Sequence, residues 1–343
     1  MAGHLALGIL QRWHAWHYSA LTHLPDCASC PPSMTNLLGA QFPALYSWAE
    51  QAINPVAHWF NPAAIMQTLP TKNWLFVHPG DLVVVQAAYL GLVFIGAVMY
   101  MLSPKKKAAP AKSAAGPKKP QTWGDVAASF QDEPIKYVQV VYNTVQTALS
   151  AYMAIEAVRI QFDEDYALFG NTRTDAASTK LLHLFFCTKV LDMLDTVFMI
   201  VRGKWQQFSF LHTYHHSSIH IIYWMLTAVS GQQGSWSADI NHTIFLNGTI
   251  HAALYFYYLC TSLGIKCAWA KLLTSAQLVQ FFLMLTYGTT LLIIDTPFPR
   301  RVTVMYLLYI TTMVVLFGLF FMKRYKAPAG SKKSGKANKP KTA

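Results

Sequence analysis

Apolar residues in this chain do not alternate with charge. They gather into blocks about the length of a bilayer crossing, separated by short polar or basic segments. The clearest block, DLVVVQAAYLGLVFIGAVMYMLS from Asp81 to Ser103, is long enough as a helix, at about 1.5 Å per residue, to cross a hydrocarbon core of about 30 Å. Further blocks run from about Lys136 to Val158, Lys180 to Val201, Phe210 to Gly231, Asn241 to Leu263, Lys271 to Ile294 and Val302 to Met322. The pattern predicts an all-α polytopic membrane protein with about seven transmembrane helices. Residues 1–78 hold no apolar run long enough to span and read as an extension on the membrane surface or loosely packed. Residues 104–134 read as a low-complexity basic linker inside the transmembrane region 79–325, and 326–343 as a basic tail.

Composition agrees. Only 12% of the 343 residues are charged against 53% hydrophobic, about half the charged share of a soluble domain. The net charge of +12 is concentrated in PKKKAAPAKSAAGPKKP and KRYKAPAGSKKSGKANKPKTA. In a soluble protein such runs would point to nucleic acid. Here both abut apolar spans and read as cytosolic flanks, so no nucleic-acid partner is expected and the N-terminus falls on the lumenal side. Arg300 and Arg301 fall on that same side, against the rule. Lys339-Pro-Lys341-Thr-Ala matches a KxKxx retrieval tail of the endoplasmic reticulum, a receptor-read address. Five cysteines are too few for a disulfide framework. Cys27 and Cys30 read as a local disulfide, two free thiols or, with His23, part of a zinc site.

Charge facing lipid is costly, so ionisable residues inside apolar blocks are the first candidates for chemistry. Four clusters stand out. On the third span, Lys189, Asp192 and Thr196 share a helical face and Asp195 sits one step round; they read as an ion pair pinning a bundle or as the polar wall of a cavity. In FLHTYHHSS, His212, His215 and His216 share a face at i, i+3 and i+4, and each imidazole brings a polar nitrogen that packing alone would leave unsatisfied. On the fifth span Asn247, His251, Tyr255 and Tyr258 form a stripe. On the sixth, Gln277 and Gln280 read as helix–helix glue or as site residues.

Histidine boxes suit metals. A di-iron centre needs several boxes, and this chain has one; His14, His17, His183, His220, His242 and His251 stand apart. A zinc ion on three histidines, backed by Asp192 and Asp195, fits by number. That would make the protein a metal-dependent lipid oxygenase or hydrolase. A seven-span lipid transporter is the non-enzymatic reading. The remaining option is covalent: a buried, neutral imidazole attacks a thioester to give an acyl-imidazole, which water exclusion protects.

The four clusters, in this order, resemble the ELO family of very-long-chain fatty acid elongases, the 3-oxoacyl-CoA synthases of the endoplasmic reticulum membrane. KVLDMLDT, HTYHH, NGTIHAALYFYY and TSAQLVQF match its motifs, and Tyr142-Asn143 matches a lesser signature. The resemblance covers roughly residues 81–325. It implies that spans two to seven form a helical barrel around an acyl tunnel. It further implies that acyl-CoA and malonyl-CoA condense to 3-oxoacyl-CoA without a metal or organic cofactor. His215 carries the acyl group, with His212, His216 and His251 as further catalytic residues. Lys189, Asp192, Asp195, Asn247, Tyr255, Gln277 and Gln280 shape the substrate site, while Arg202 and Lys204 meet the CoA phosphates. Expected partners are membrane lipids, the reductases and dehydratase of the elongation cycle, and a second copy of the chain. Asp192 stands where the family more often has glutamate. That departure is similar to microbial and algal elongases of polyunsaturated chains.

Overall fold

A computed structural model describes residues 34–60, 74–102, 134–163, 165–171, 176–230, 237–294 and 296–325. The Cys27–Cys30 pair with His23, nearly all of the basic linker, and the KxKxx tail lie outside them. Among the described residues all regular structure is helical. Two helices precede the first apolar block, α1 (Met34–Gln41) and α2 (Pro43–Phe60). Then come α3 (Pro79–Leu102), α4 (Pro134–Asp163), α5 (Ala176–Asp192), α6 (Leu194–Val201), α7 (Phe210–Ser230), α8 (Asn241–Ser262), α9 (Ala270–Ile293) and α10 (Arg300–Tyr325). α3, α9 and α10 are long and apolar enough to cross a membrane.

The expected third span is broken. α5 ends at Asp192 and α6 begins at Leu194. Around the break the backbone tightens to i→i−3 bonds, Met193 N–H to the Val190 carbonyl at 3.2 Å and Thr196 N–H to the Met193 carbonyl at 3.1 Å. Such a mid-helix 3-10 step changes the rotation of everything after it. Asp192 and Thr196, expected on one face, therefore reach different neighbours. α6 then ends in a left-handed glycine cap. Gly203 has φ 60°; its N–H bonds the Ile200 carbonyl at 3.0 Å, and Lys204 N–H bonds the Met199 carbonyl at 2.8 Å. A side chain at this φ would be strained, so Gly203 is what turns the chain here.

α4 and α8 make the closest helix pair. A Cβ on Gly248 would lie 3.0 Å from the Ser150 carbonyl oxygen and 3.3 Å from the Ala154 Cβ. Glycine facing serine and alanine lets two helix backbones approach closely. That approach aligns the polar residues of α4 and α8 above the break in the third span.

The described helix α2, ahead of the first apolar block, is packed against the rest of the molecule. Tyr46 and Ala49 of α2 are buried, and the Tyr46 hydroxyl donates to the buried Asp81 carboxylate at 2.6 Å. Trp224 of α7 donates its indole N–H to the Val77 carbonyl at 2.9 Å. Arg301, awkward by its charge alone, donates to the Trp59 carbonyl and lies 4.8 Å from the Trp59 ring centroid. Arg301 thus serves the unpaired carbonyl end of α2 and is not a free flanking charge.

Candidate active site

Asp192, at the end of α5, is the hub. Its Oδ2 accepts from the Lys189 ammonium at 3.0 Å, and its Oδ1 accepts from Gln146 Nε2 of α4 at 2.6 Å and the Tyr255 hydroxyl of α8 at 2.9 Å. His251 Nδ1 stands 3.7 Å from Oδ2. Lys189 and Asp192 are each 2% exposed. At that burial the ion pair persists only because both charges are multiply bonded. Lys189 also reaches Asn247 Oδ1 at 3.4 Å and lies over the Phe185 ring at 4.3 Å.

Asp195, beyond the break, rejoins the network through Tyr255, whose hydroxyl lies 3.0 Å from its Oδ2. The two carboxylates thus flank one phenol that has a single proton to give. Tyr142 of α4 lies 3.3 Å from the same hydroxyl, with Gln146 Nε2 3.4 Å from the Tyr142 oxygen. Gln146 is a buried amide held between two site residues, and sequence reasoning passed over it. Its signal was the spacing: a glutamine one helical turn after Tyr142 inside an apolar block.

The three box histidines look into different neighbourhoods. His212 Nε2 pairs with the Thr196 hydroxyl of α6 at 2.8 Å. His216 is buried between its neighbours, its ring 4.2 Å from His212 and 5.3 Å from His215. His215 lines a narrow slot together with Asn247, Tyr223, Phe281, Tyr306 and Tyr309. Lys189 and Asp192 lie within electrostatic reach of both His215 and His251. The expected stripe of α8 is therefore assembled: Asn247 at the cavity, His251 and Tyr255 at Asp192.

Other expected site residues stand apart from this hub. Gln280 is buried, donates weakly to the Met284 sulfur at 3.3 Å and faces a separate apolar groove between α8 and α9 with Leu246 and Val279. Gln277 is half-buried on α9 and joins none of the bonds around Asp192. Arg202 donates to Gln139 of α4 and Lys204 is exposed, both at the glycine-capped turn after α6. Among the described residues no three His, Cys, Asp or Glu side chains converge in a metal-ligating group.

Chemically, the arrangement offers an imidazole at the mouth of a greasy slot. A second imidazole beside a fixed carboxylate and a buried ammonium back it. Residues 74–333 match the model of the ELO: GNS1/SUR4 family. The chain is 34% identical over 189 residues to "Fatty acid elongase 5" of Leishmania major, covering 55% of this chain and 74% of that one. It is 36% identical over 185 residues to "Fatty acid elongase 4" of Trypanosoma brucei brucei, covering 54% and 71%. It is 31% identical over 201 residues to "Very long chain fatty acid elongase 2" of Mus musculus, covering 56% and 67%. With its family match spanning most of its length and three of the four matching motifs gathered around Asp192 and His215, the chain belongs to the GNS1/SUR4 (ELO) family.

Proposed function

We propose that this protein is the condensing enzyme of fatty acid elongation, a 3-oxoacyl-CoA synthase in the endoplasmic reticulum membrane. Its seven spans include a barrel of spans two to seven. The observation that carries the reading is the position of His215: it borders an apolar slot and lies within electrostatic reach of the Lys189–Asp192 pair. In the first half-reaction a His215 nitrogen attacks the thioester carbonyl of acyl-CoA. The carbon–sulfur bond breaks, and the departing thiolate takes the proton that the imidazole gives up. The acyl chain lies among Tyr223, Phe281, Tyr306 and Tyr309. In the second, malonyl-CoA loses carbon dioxide, and the released electron pair, as an enolate, attacks the acyl carbon. The acyl–nitrogen bond breaks and the imidazole recovers a proton, so each turnover consumes one.

His251, beside Asp192, donates at the reacting carbonyls, and Asn247 orients them from the slot wall. Arg202 and Lys204 lie at the turn where CoA phosphates are held. No metal or organic cofactor takes part in this scheme. Asp192 in place of the commoner glutamate suits polyunsaturated acyl chains.

The test uses the full chain purified into nanodiscs. Acyl-CoA alone should release CoA thiol and leave an acyl mass on the protein; adding malonyl-CoA should discharge that mass as 3-oxoacyl-CoA. His215→Ala should abolish both. An adduct of undiminished yield on that variant overturns the nucleophile assignment, and stoichiometric iron or zinc in the purified protein overturns the scheme.

A further inference from the structure

α3 lies outside the Asp192 network, yet it carries polar residues on one face of an otherwise apolar helix. Gln86 and Tyr89 are three apart, so they point the same way. Both reach the histidine helix or its support. Gln86 Nε2 donates to the Ser217 carbonyl at 3.0 Å and contacts His220 Nδ1 at 2.8 Å, while its Oε1 accepts from the Ser217 hydroxyl at 2.9 Å. Those contacts settle the amide's orientation: the oxygen is taken by a donor, and both amide hydrogens are spent. His220 Nδ1 is therefore an acceptor and its proton sits on Nε2. His220 is fully buried, its ring stacked on Phe186 at 5.3 Å, and Nε2 has no hydrogen-bond partner. A buried imidazole so placed is costly; fixing the helix that bears it compensates for that cost.

Tyr89 works one turn further along. It is 3% exposed. Its hydroxyl lies 3.3 Å from Thr196 Oγ1, which in turn pairs with His212 Nε2 at 2.8 Å, and its ring centroid stands 6.4 Å from that of His216. α3 thus grips α7 at two heights, through Ser217 and His220 at one and through Thr196 to His212 at the other.

Rotation is what such a grip controls. Adjacent residues on a helix differ by about 100°. His215 borders the slot and its neighbour His216 does not. A modest turn of α7 would exchange one imidazole for the other. We infer that Gln86 and Tyr89 are positioning residues: α3 sets the rotation of the histidine helix and so selects His215, rather than His216, as the acyl acceptor. This rests on the reading of His215 as the acyl carrier.

The experiment maps the acyl adduct by peptide mass spectrometry and measures its rate of formation in the full chain. The variants are Gln86→Leu/His220→Phe and Tyr89→Phe. The double variant removes both ends of the buried Gln86–His220 contact and fills the space with apolar groups, which spares stability better than deleting one end; the Ser217 hydroxyl can turn back to the carbonyl one helical turn earlier. It should keep its melting temperature and its KM for malonyl-CoA, form the adduct at least tenfold more slowly, and spread it onto His216. Tyr89→Phe, lacking one hydroxyl, should slow adduct formation severalfold. Normal rates and exclusive His215 labelling in both variants overturn the inference and leave the proposed function standing. Absence of any adduct on the unaltered protein overturns both.

Discussion

α3, α9 and α10 form one class of helix in this protein, and α4, α5, α7 and α8 another. The first class satisfies a simple test of length and apolarity for crossing a membrane. The second carries Gln146, Lys189, Asp192, the box histidines, Asn247, His251 and Tyr255, and its α5 is shorter, at 17 residues. Those polar groups lower its hydropathy, and they are the groups that satisfy one another in the interior. Hydropathy therefore points most strongly to the helices that bring none of the charged groups or histidines around Asp192, although α9 and α10 supply much of the apolar wall of the slot. In the proposed seven-span arrangement, affinity of the second class for the bilayer is a property of the assembled helices rather than of each alone.

The contrast can be broken hardest at Lys189. Lys189→Ala leaves the Asp192 carboxylate buried without its cation, and should cost about 3–5 kcal/mol with loss of condensation. Phe94→Ala on α3, a residue 68% exposed, should shift stability by about 0.5 kcal/mol or less; thermal unfolding in matched nanodiscs compares the two. Equal losses would show that the two classes do not differ. Gly248→Leu should force α4 from α8 at a cost of about 1–3 kcal/mol. Turnover should fall further than stability, because the Gln146 and Tyr142 contacts open.

Tyr255→Phe removes the phenol that the two carboxylates share, and should cost about 1–2 kcal/mol. Its effect on the acylation rate should exceed that of Tyr258→Phe.

A pH-dependent effect lies in the 3-10 turn Ser237–Ile240. Burial, opposed by the Asn171 hydrogen bonds, pushes the Asp239 carboxyl up to about 6. The folded state then holds a proton that the unfolded state has lost, so stability falls as pH rises. Between pH 5 and 7 the fall should be about 1 kcal/mol. Asp239→Asn should flatten that slope relative to the unaltered protein; identical slopes would remove Asp239 as its source.

Much of the architecture was legible in the sequence because helix spacing alone brings residues three and four apart to one side. Lys189 with Asp192, and Asn247 with His251 and Tyr255, needed nothing more. What escaped depends on rotation and distance between helices. The break at Met193 sends Thr196 to His212 and Tyr89, although the spacing aligned it with Asp192. Gln280 shares a motif with Gln277 but faces a groove away from the cavity, because the two residues, three apart, still point to different sides of α9. The packing of α2 escaped because its apolar positions form a short stripe rather than a block.

Arg301 joins two parts of the chain 242 residues apart in sequence when it reaches Trp59. The covalent chain between them passes through α3 to α9, so the contact works as a clasp closing a long loop. Fraying at one end of the protein is thereby felt at the other. A chain shortened to begin at α3 would release the start of α10 and, by removing Val77, leave the Trp224 indole without its acceptor, and the first and last helices should melt as one cooperative unit rather than as independent ends.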